Sequence, residues 1–320
     1  MTQRALITGG QGFVAQWAIR AMIARQWKVT AAGIHHGAES TILSDDERAA
    51  VDWVTMDVTE SEQIAAAVER AAPDLVLHLA AISHVPDAKR NPGRAFEVNA
   101  VGTVRLLATL AERRRDGRDD PVVLVVGSSE QYGRHERDEM PLDERAEQRP
   151  LTLYAASKVA QETAALQAFR GEGLRVVCTR SFNHSGAGQA QSFVLPGLVS
   201  RALAVARQGG QLTLGNGETV RDFLHVTDVV DAYLSLAERG TPGEVYNVCS
   251  GEGVSIRTLA ESVLQRIGIP ADISSDPALT RPVDVPVQIG SNAKLRRATG
   301  WTPRRTREDI IDDLIHAATR

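Results

Sequence analysis

Short, nearly continuous runs of Val, Leu, Ile and Ala alternate along the first half with longer segments whose apolar residues recur at helical spacing. The short runs cover residues 5–8, 28–34, 51–55, 75–79, 122–127 and 175–180. Apolar runs without polar alternation suit strands buried on both faces of a parallel sheet. The helical patterns between them cover 13–25, 60–71, 94–115 and 152–171. This rhythm predicts an α/β fold, a doubly wound parallel sheet of the Rossmann type. After Phe182 the rhythm changes. Helical patterns at 196–208, 227–239, 256–267 and 307–319 are separated by shorter strands and Gly/Pro turns, and no new glycine-rich strand–helix turn opens among them. We expect a dinucleotide-binding domain over 1–181 and a smaller α/β substrate lobe over 182–320, with the chain crossing back to the first sheet near 219–250.

Composition narrows the class. Hydrophobic residues at 43% and charged residues at 24% are ordinary for a soluble globular protein. A formal net charge of -4 offers no basic excess to neutralise nucleic-acid phosphates, so no nucleic-acid partner is expected. No stretch approaches the roughly 18 apolar residues of a membrane span, and no leader pattern opens the chain. Cys178 and Cys249 each lie in an apolar stretch and read as free thiols, which suits a cytoplasmic protein.

The first strand runs into Thr8-Gly9-Gly10-Gln11-Gly12-Phe13-Val14-Ala15, which opens the first helix. Gly9 permits a tight turn, and Gly12 lets a pyrophosphate approach the backbone at a helix N-terminus. The turn predicts a dinucleotide site with Gly9, Gly12, Phe13 and Val14 at the cofactor. Where an NAD site usually offers an acid to the ribose, the chain reads Ala32-Gly33-Ile34-His35-His36, with neither acid nor arginine. His35 is either a contact to a 2′-phosphate or a solvated surface residue. NADP(H) is favoured and NAD(H) stays open. Asp57 and Val58, after the third strand, are candidates for the adenine, with a helix N-cap as the other reading of Asp57.

Tyr154 and Lys158 stand at i and i+4 of a helical pattern, on one face. A nearby ammonium and a positive nicotinamide lower a tyrosine pKa towards the range in which it exchanges protons. The spacing alone is common. It gains meaning from Gly127-Ser128-Ser129-Glu130-Gln131-Tyr132-Gly133, at the strand end that faces the cofactor crevice in a doubly wound sheet.

Through Thr8–Gly12, His78-Leu79-Ala80-Ala81, Asn99, Ser128, Tyr154 and Lys158, the chain resembles the extended short-chain dehydrogenase/reductase family along essentially its whole length. The resemblance implies that Ser128 hydrogen-bonds the reacting sugar oxygen. It further implies that Tyr154 exchanges the proton, and that Lys158 holds the nicotinamide ribose and tunes Tyr154. Leu79, Ala80, Ala81 and Asn99 fall near the cofactor on the same grounds, although Asn99 also reads as a tie within its own helix.

The second half resembles the GDP-mannose branch of that family, through Thr179-Arg180-Ser181-Phe182-Asn183-His184, the segments 215–223 and 246–251, Arg281-Pro282, and Gly290-Ser291-Asn292. That branch contains GDP-mannose 4,6-dehydratases and the reductases of their product, GDP-4-keto-6-deoxy-D-mannose. The resemblance implies a GDP-sugar substrate, with Asn183 at its phosphates or sugar and Arg221 and Arg281 at the diphosphate. Guanidinium groups suit phosphate oxygens, which they bind in bidentate fashion. His84, after the fourth strand, lines the sugar pocket or packs its loop. No Cys/His spacing supports a metal site.

Glu130 stands where the dehydratases of this branch place a glutamate, which they need to remove the C5 proton and expel the C6 hydroxyl. Against dehydration, Ser128 replaces their threonine, and Ser185-Gly186-Ala187-Gly188-Gln189 replaces their Arg-Arg-Gly. Reduction of the C4 ketone, giving a product such as GDP-D-rhamnose, is favoured, with the dehydratase or a related epimerase as the alternative. By the same resemblance, 94–115 and 152–171 would form a four-helix bundle across a homodimer, with a tetramer left open.

Overall fold

The apolar runs of the first half are strands, and helices cover both faces of the sheet they build, burying all but the half-buried edge strand at 52–55. The computed structural model describes residues 2–37, 42–276, 279 and 285–319. The first half comprises β1 (Arg4–Thr8), α1 (Phe13–Ala24), β2 (Lys28–Gly33), α2 (Asp45–Ala49), β3 (Asp52–Thr55), α3 (Ser61–Ala71), β4 (Leu75–His78), α4 (Val85–Arg90), α5 (Pro92–Phe96), α6 (Gly102–Arg115), β5 (Val122–Ser128), α7 (Leu153–Glu172) and β6 (Arg175–Ser181). The second comprises β7 (Asn183–Ser185), α8 (Val194–Gln208), β8 (Leu212–Leu214), β9 (Val220–His225), α9 (Val226–Arg239), β10 (Val245–Val248), β11 (Gly253–Ser255), α10 (Ile256–Ile267), β12 (Ile273–Ser275), β13 (Val287–Gln288), α11 (Ala293–Thr299) and α12 (Arg307–Thr319).

Among the described residues the main sheet has seven strands, all parallel, in the order β3-β2-β1-β4-β5-β6-β10. Their carboxyl ends therefore share one edge, and the strand order reverses between β1 and β4, where a crevice for ligands opens in such sheets. The seventh strand belongs to the second half of the chain: Val245–Val248 pairs with Cys178–Ser181. Helices α1 and α9 cover one face around Ile19, Met22, Val229, Tyr233 and Trp301. Helices α3, α6 and α7 cover the other around Ile64, Leu106, Leu110 and Ala165. Each fully buried Leu or Ile contributes roughly 1.5–3 kcal/mol, so these two layers stabilise the edge that carries the site.

The single helix expected over 94–115 is instead α5, a π-helical turn at Glu97–Val101, and α6. A π turn inserts one residue into the helical repeat, and here it carries Asn99. In the second lobe, β9 pairs with β7, β11 and β13, while α8, α10 and α12 pack around Leu198, Val263 and Ile311. A reciprocal amide–serine contact ties this lobe to the main sheet. Gln288 Nε2 donates to Ser129 O at 2.9 Å, and Ser129 Oγ donates to Gln288 Oε1 at 3.2 Å. No described helix is long and apolar enough to cross a membrane.

Candidate active site

The glycine turn after β1 is shaped for close approach. Gly9 has φ +70°, and a Cβ there would lie 2.9 Å from both Ala80 Cα and Ala80 N. Only glycine reconciles that conformation with that contact. Helix α1 opens on Gly12, and no side chain caps it, so its first-turn N–H groups face the crevice edge as an anion cradle. Phe13 stacks on His184 with ring centroids 6.4 Å apart, joining α1 to the second lobe. Leu79, Ala80 and Ala81 follow β4 on the same edge, half-buried. Val58 is buried. His35 is exposed just beyond β2, and its carbonyl accepts Gln11 Nε2.

Two expected cofactor residues have other partners. Asp57 Oδ1 accepts the N–H and hydroxyl of Thr59 at 2.9 and 2.8 Å, and its Oδ2 pairs with Arg94 Nη2 at 2.7 Å. Burial would raise this carboxyl, but the Thr59 and Arg94 bonds outweigh it and hold the group below its ordinary value. The cap reading takes the form of a local turn onto Thr59, because α3 starts later, at Ser61. Asn99 is fully enclosed. Its amide exchanges bonds with the backbone of Ile82 at 2.8 and 3.2 Å and donates to Ser157 Oγ at 2.9 Å. Asn99 thus ties the loop after β4, and not its own helix.

At the carboxyl end of β5, Ser128 Oγ accepts the Glu130 N–H at 3.2 Å, while Ser128 N–H donates to Gln131 Oε1 at 2.8 Å. These reciprocal bonds fold Ser129–Tyr132 into a single 3₁₀ turn. Gly127 makes the turn fit, since a Cβ there would sit 2.4 Å from Thr179 O and from Gln131 Oε1. Across the crevice, Thr152 caps α7, accepting the Ala155 N–H at 3.0 Å, and the next turns present Tyr154 and Lys158 on one face. The Ser128 side chain lies close enough to the Tyr154 hydroxyl to act on it.

Among the chain's own groups, the balance at Tyr154 is towards a raised phenol. Burial pushes the phenol up to about 12; the neighbouring Ser128 side chain opposes this, and the Glu130 charge adds to it. Lys158 Nζ donates to Val126 O at 2.8 Å and to Gln161 Oε1 at 2.7 Å. Burial lowers the lysine itself to about 7.

On the second-lobe side, Asn183 pairs with Phe223 across β7 and β9, which puts Asn183 and Arg221 on the same face of that sheet. Asn183 Nδ2 donates to Asp222 O at 3.3 Å, and Arg221 Nη1 donates to Val285 O at 2.6 Å. His84 precedes α4 without a side-chain capping bond, lies 3.3 Å from Asp87 through Nδ1, and meets Phe193 edge-on at 5.8 Å. Arg281 lies outside the described residues. Among the described residues no group of three His, Cys, Asp or Glu could hold a metal ion.

Several further residues shape this site. Gln131 Nε2 donates to Glu162 Oε2 at 2.9 Å, and Glu162 is paired in turn with Arg180. Asp222 gathers the N–H groups of Ser250, Gly251 and Gly290. Glu162 stands one turn after Lys158, a spacing that could have flagged it. Gln131 and Asp222 sat inside quoted motifs without a role.

A doubly wound sheet with a glycine-rich first turn, and with Ser128, Tyr154 and Lys158 gathered at its carboxyl edge, defines an extended short-chain dehydrogenase/reductase. The chain belongs to the GDP-mannose 4,6-dehydratase family, whose model matches residues 6–314. It is 38% identical over 246 residues to GDP-6-deoxy-D-mannose reductase of Pseudomonas aeruginosa, spanning 76% of this chain and 79% of that protein. It is 28% identical over 300 residues to GDP-6-deoxy-D-talose 4-dehydrogenase of Aggregatibacter actinomycetemcomitans, spanning 93% and 91%. The structure of RMD from Pseudomonas aeruginosa complexed with NADPH matches with a TM-score of 0.81 at 31% identity, over 99% of this chain and 100% of that one.

Proposed function

We propose that this chain reduces the C4 ketone of GDP-4-keto-6-deoxy-D-mannose to a GDP-6-deoxyhexose such as GDP-D-rhamnose, with NADPH favoured over NADH. The observation that carries this reading is the gathering of Ser128, at the end of β5, beside Tyr154, with Lys158 one turn further along α7. The likeness to a GDP-6-deoxy-D-mannose reductase and to RMD complexed with NADPH supports the substrate and the cofactor.

The residues present fit a dinucleotide, because the uncapped first turn of α1 and the side-chain-free approach at Gly9 form an anion cradle. When bound, NADPH supplies the hydride. Tyr154, held as a phenol by burial, donates its proton to the ketone oxygen as that oxygen becomes an alkoxide. The Ser128 hydroxyl, beside Tyr154, holds the same oxygen and stabilises its charge. Lys158 holds the cofactor ribose and favours the tyrosinate that is left behind. Asn183, Arg221 and Arg281 take the GDP moiety, and His84 lines the sugar pocket. Residues 1–181 thus carry the dinucleotide, and 182–320 carry the substrate.

A second reading rests on Glu130, whose carboxylate lies near enough to Tyr154 to raise it. Such a group is what a 4,6-dehydratase needs for C5 and C6. Purified protein separates the two. NADPH oxidation that depends on the keto sugar supports the reductase, whereas consumption of GDP-mannose without added reductant would overturn it.

We also infer a cytoplasmic homodimer, with the tetramer as the alternative. Val101, which closes the π turn, and Val104, in the first turn of α6, are 42% and 48% exposed; α6 packs beside α7, and a second copy of this helix pair would cover them. Sedimentation equilibrium reads the oligomeric state directly.

A further inference from the structure

Behind the site lies a row of buried polar side chains that no step above uses. Thr8, His78 and Thr103 are fully enclosed, and Gln161 is 1% exposed. Thr8 and His78 face each other across the β1–β4 pair, with Thr8 Oγ1 and His78 Nδ1 2.7 Å apart. His78 Nε2 lies 2.8 Å from Thr103 Oγ1. Gln161 Nε2 donates to that same oxygen at 3.0 Å, and Gln161 Oε1 accepts Lys158 Nζ.

Proton counting gives the row a direction. Thr103 has one hydroxyl proton, which goes to Asn99 O at 2.7 Å. Gln161 and His78 must therefore both donate to Thr103, which fixes the orientation of the Gln161 amide and puts the imidazole proton on Nε2. His78 stays neutral, because burial and then the Lys158 charge lower it to about 3. Its Nδ1 accordingly accepts the Thr8 hydroxyl, and Thr8 Oγ1 accepts the Ala80 N–H at 3.1 Å. One arm runs from Lys158 through Gln161; the other runs from Ala80 through Thr8 and His78. Both end on Thr103.

We propose that His78, Thr103 and Gln161 are positioning residues for Lys158, a clamp centred on Thr103 that also fixes Ala80 beside the glycine turn. Because the two arms converge, the row cannot pass a proton along its length. It sets the direction of the ammonium, sending two of its N–H bonds to Val126 O and Gln161 Oε1 and leaving the third for the cofactor side. The functional consequence rests on the role given to Lys158 above.

The test is Thr103→Val, which keeps the shape and removes the shared acceptor, with Thr103→Ser as the conservative variant. In Thr103→Val, kcat for ketone reduction should fall about tenfold or more, since Gln161 and His78 both lose their shared acceptor and Lys158 loses its fixed direction. The KM for the sugar should hold within about twofold, since Thr103 touches no substrate group. The alkaline limb of the kcat profile should move to lower pH, because a lysine without its ordered acceptor loses its proton sooner. Thr103→Ser should restore both kcat and the limb. A folded Thr103→Val with wild-type kcat and an unmoved limb overturns the clamp. If Thr103→Val does not fold, ¹⁵N NMR of His78 in the wild-type chain decides instead. A proton on Nε2 that does not titrate between about pH 5 and 8 supports the clamp, and a proton on Nδ1 overturns it. If the wild type fails to reduce the keto sugar, the function reading fails separately, and the His78 tautomer still decides the geometry.

Discussion

Glu162 and Arg180 form a two-pronged ion pair directly beneath the Ser128 turn. Arg180 Nε meets Glu162 Oε2 at 2.9 Å and Arg180 Nη2 meets Glu162 Oε1 at 2.8 Å, with both side chains under a tenth exposed. The same carboxylate accepts Gln131 Nε2 and Gln148 Nε2, so it anchors the side chain that holds the Ser128 N–H. Arg180 also lies over the Tyr132 ring at 4.8 Å. Removing one charge should cost far more than removing both. Glu162→Met should destabilise the fold by about 3–5 kcal/mol, and adding Arg180→Met should recover part of that loss. Urea unfolding of the single and double variants gives the comparison.

Tyr154→Phe deletes the proposed proton donor and leaves the ring that packs with Ala88 and Ala95. Loss of general-acid assistance should lower kcat by about 10²–10⁴-fold, with NADPH affinity near that of the wild type. Stopped-flow NADPH oxidation alongside a fluorescence titration separates the two quantities. Equal losses in both would remove Tyr154 from the chemical step.

Lys158 ties stability to pH. Its folded pKa of about 7 lies below its ordinary 10.5, so across that window the unfolded chain binds a proton that the folded chain does not. Stability of the unliganded protein should therefore rise with pH across the window and be lost as pH falls back through it. Lys158→Met should lack this slope. Denaturation midpoints of the two proteins between about pH 7 and 9 give the difference.

Asp222 holds two loops of the second lobe together. Ser250 N–H and Oγ donate to it at 2.8 and 2.6 Å, Gly251 N–H at 2.9 Å and Gly290 N–H at 3.4 Å. Burial raises its carboxyl to about 6 against the pull of these donors. In Asp222→Asn an amide N–H₂ would face donors where an acceptor stood, at about 1.5–3 kcal/mol for each charge-assisted bond lost. We expect a higher KM for the GDP-sugar with a smaller change in kcat, because the Ser128 turn is untouched. A fall in kcat alone would place Asp222 elsewhere in the mechanism.

Gly9→Ala would force a side chain into the left-handed region and against Ala80. The conformation alone costs about 1–2 kcal/mol, so NADPH affinity measured by calorimetry should weaken about tenfold or more.

The parallel sheet and the chemical edge were legible along the chain because both depend on local pattern. Continuous apolar runs mark strands buried on two faces, and Gly9–Gly12, Ser128, Tyr154 and Lys158 each follow a strand or open a helix. What the chain order could not convey was which groups meet across elements. Arg180 was read within a motif, but its pairing with Glu162 needs β6 packed on α7. Asn99 has the spacing of a cofactor neighbour, yet the π turn buries its amide against Ile82. The raising of Tyr154 depends on enclosure by residues distant in sequence, and solvation is a property of the packed neighbourhood. The sequence by itself determined the fold class, the dinucleotide turn and the candidate proton donor, since these rest on side-chain type and period. Only the tertiary structure decided the seventh strand, the direction of Lys158 and the buried partners of Ser128, because each depends on where distant segments come to rest.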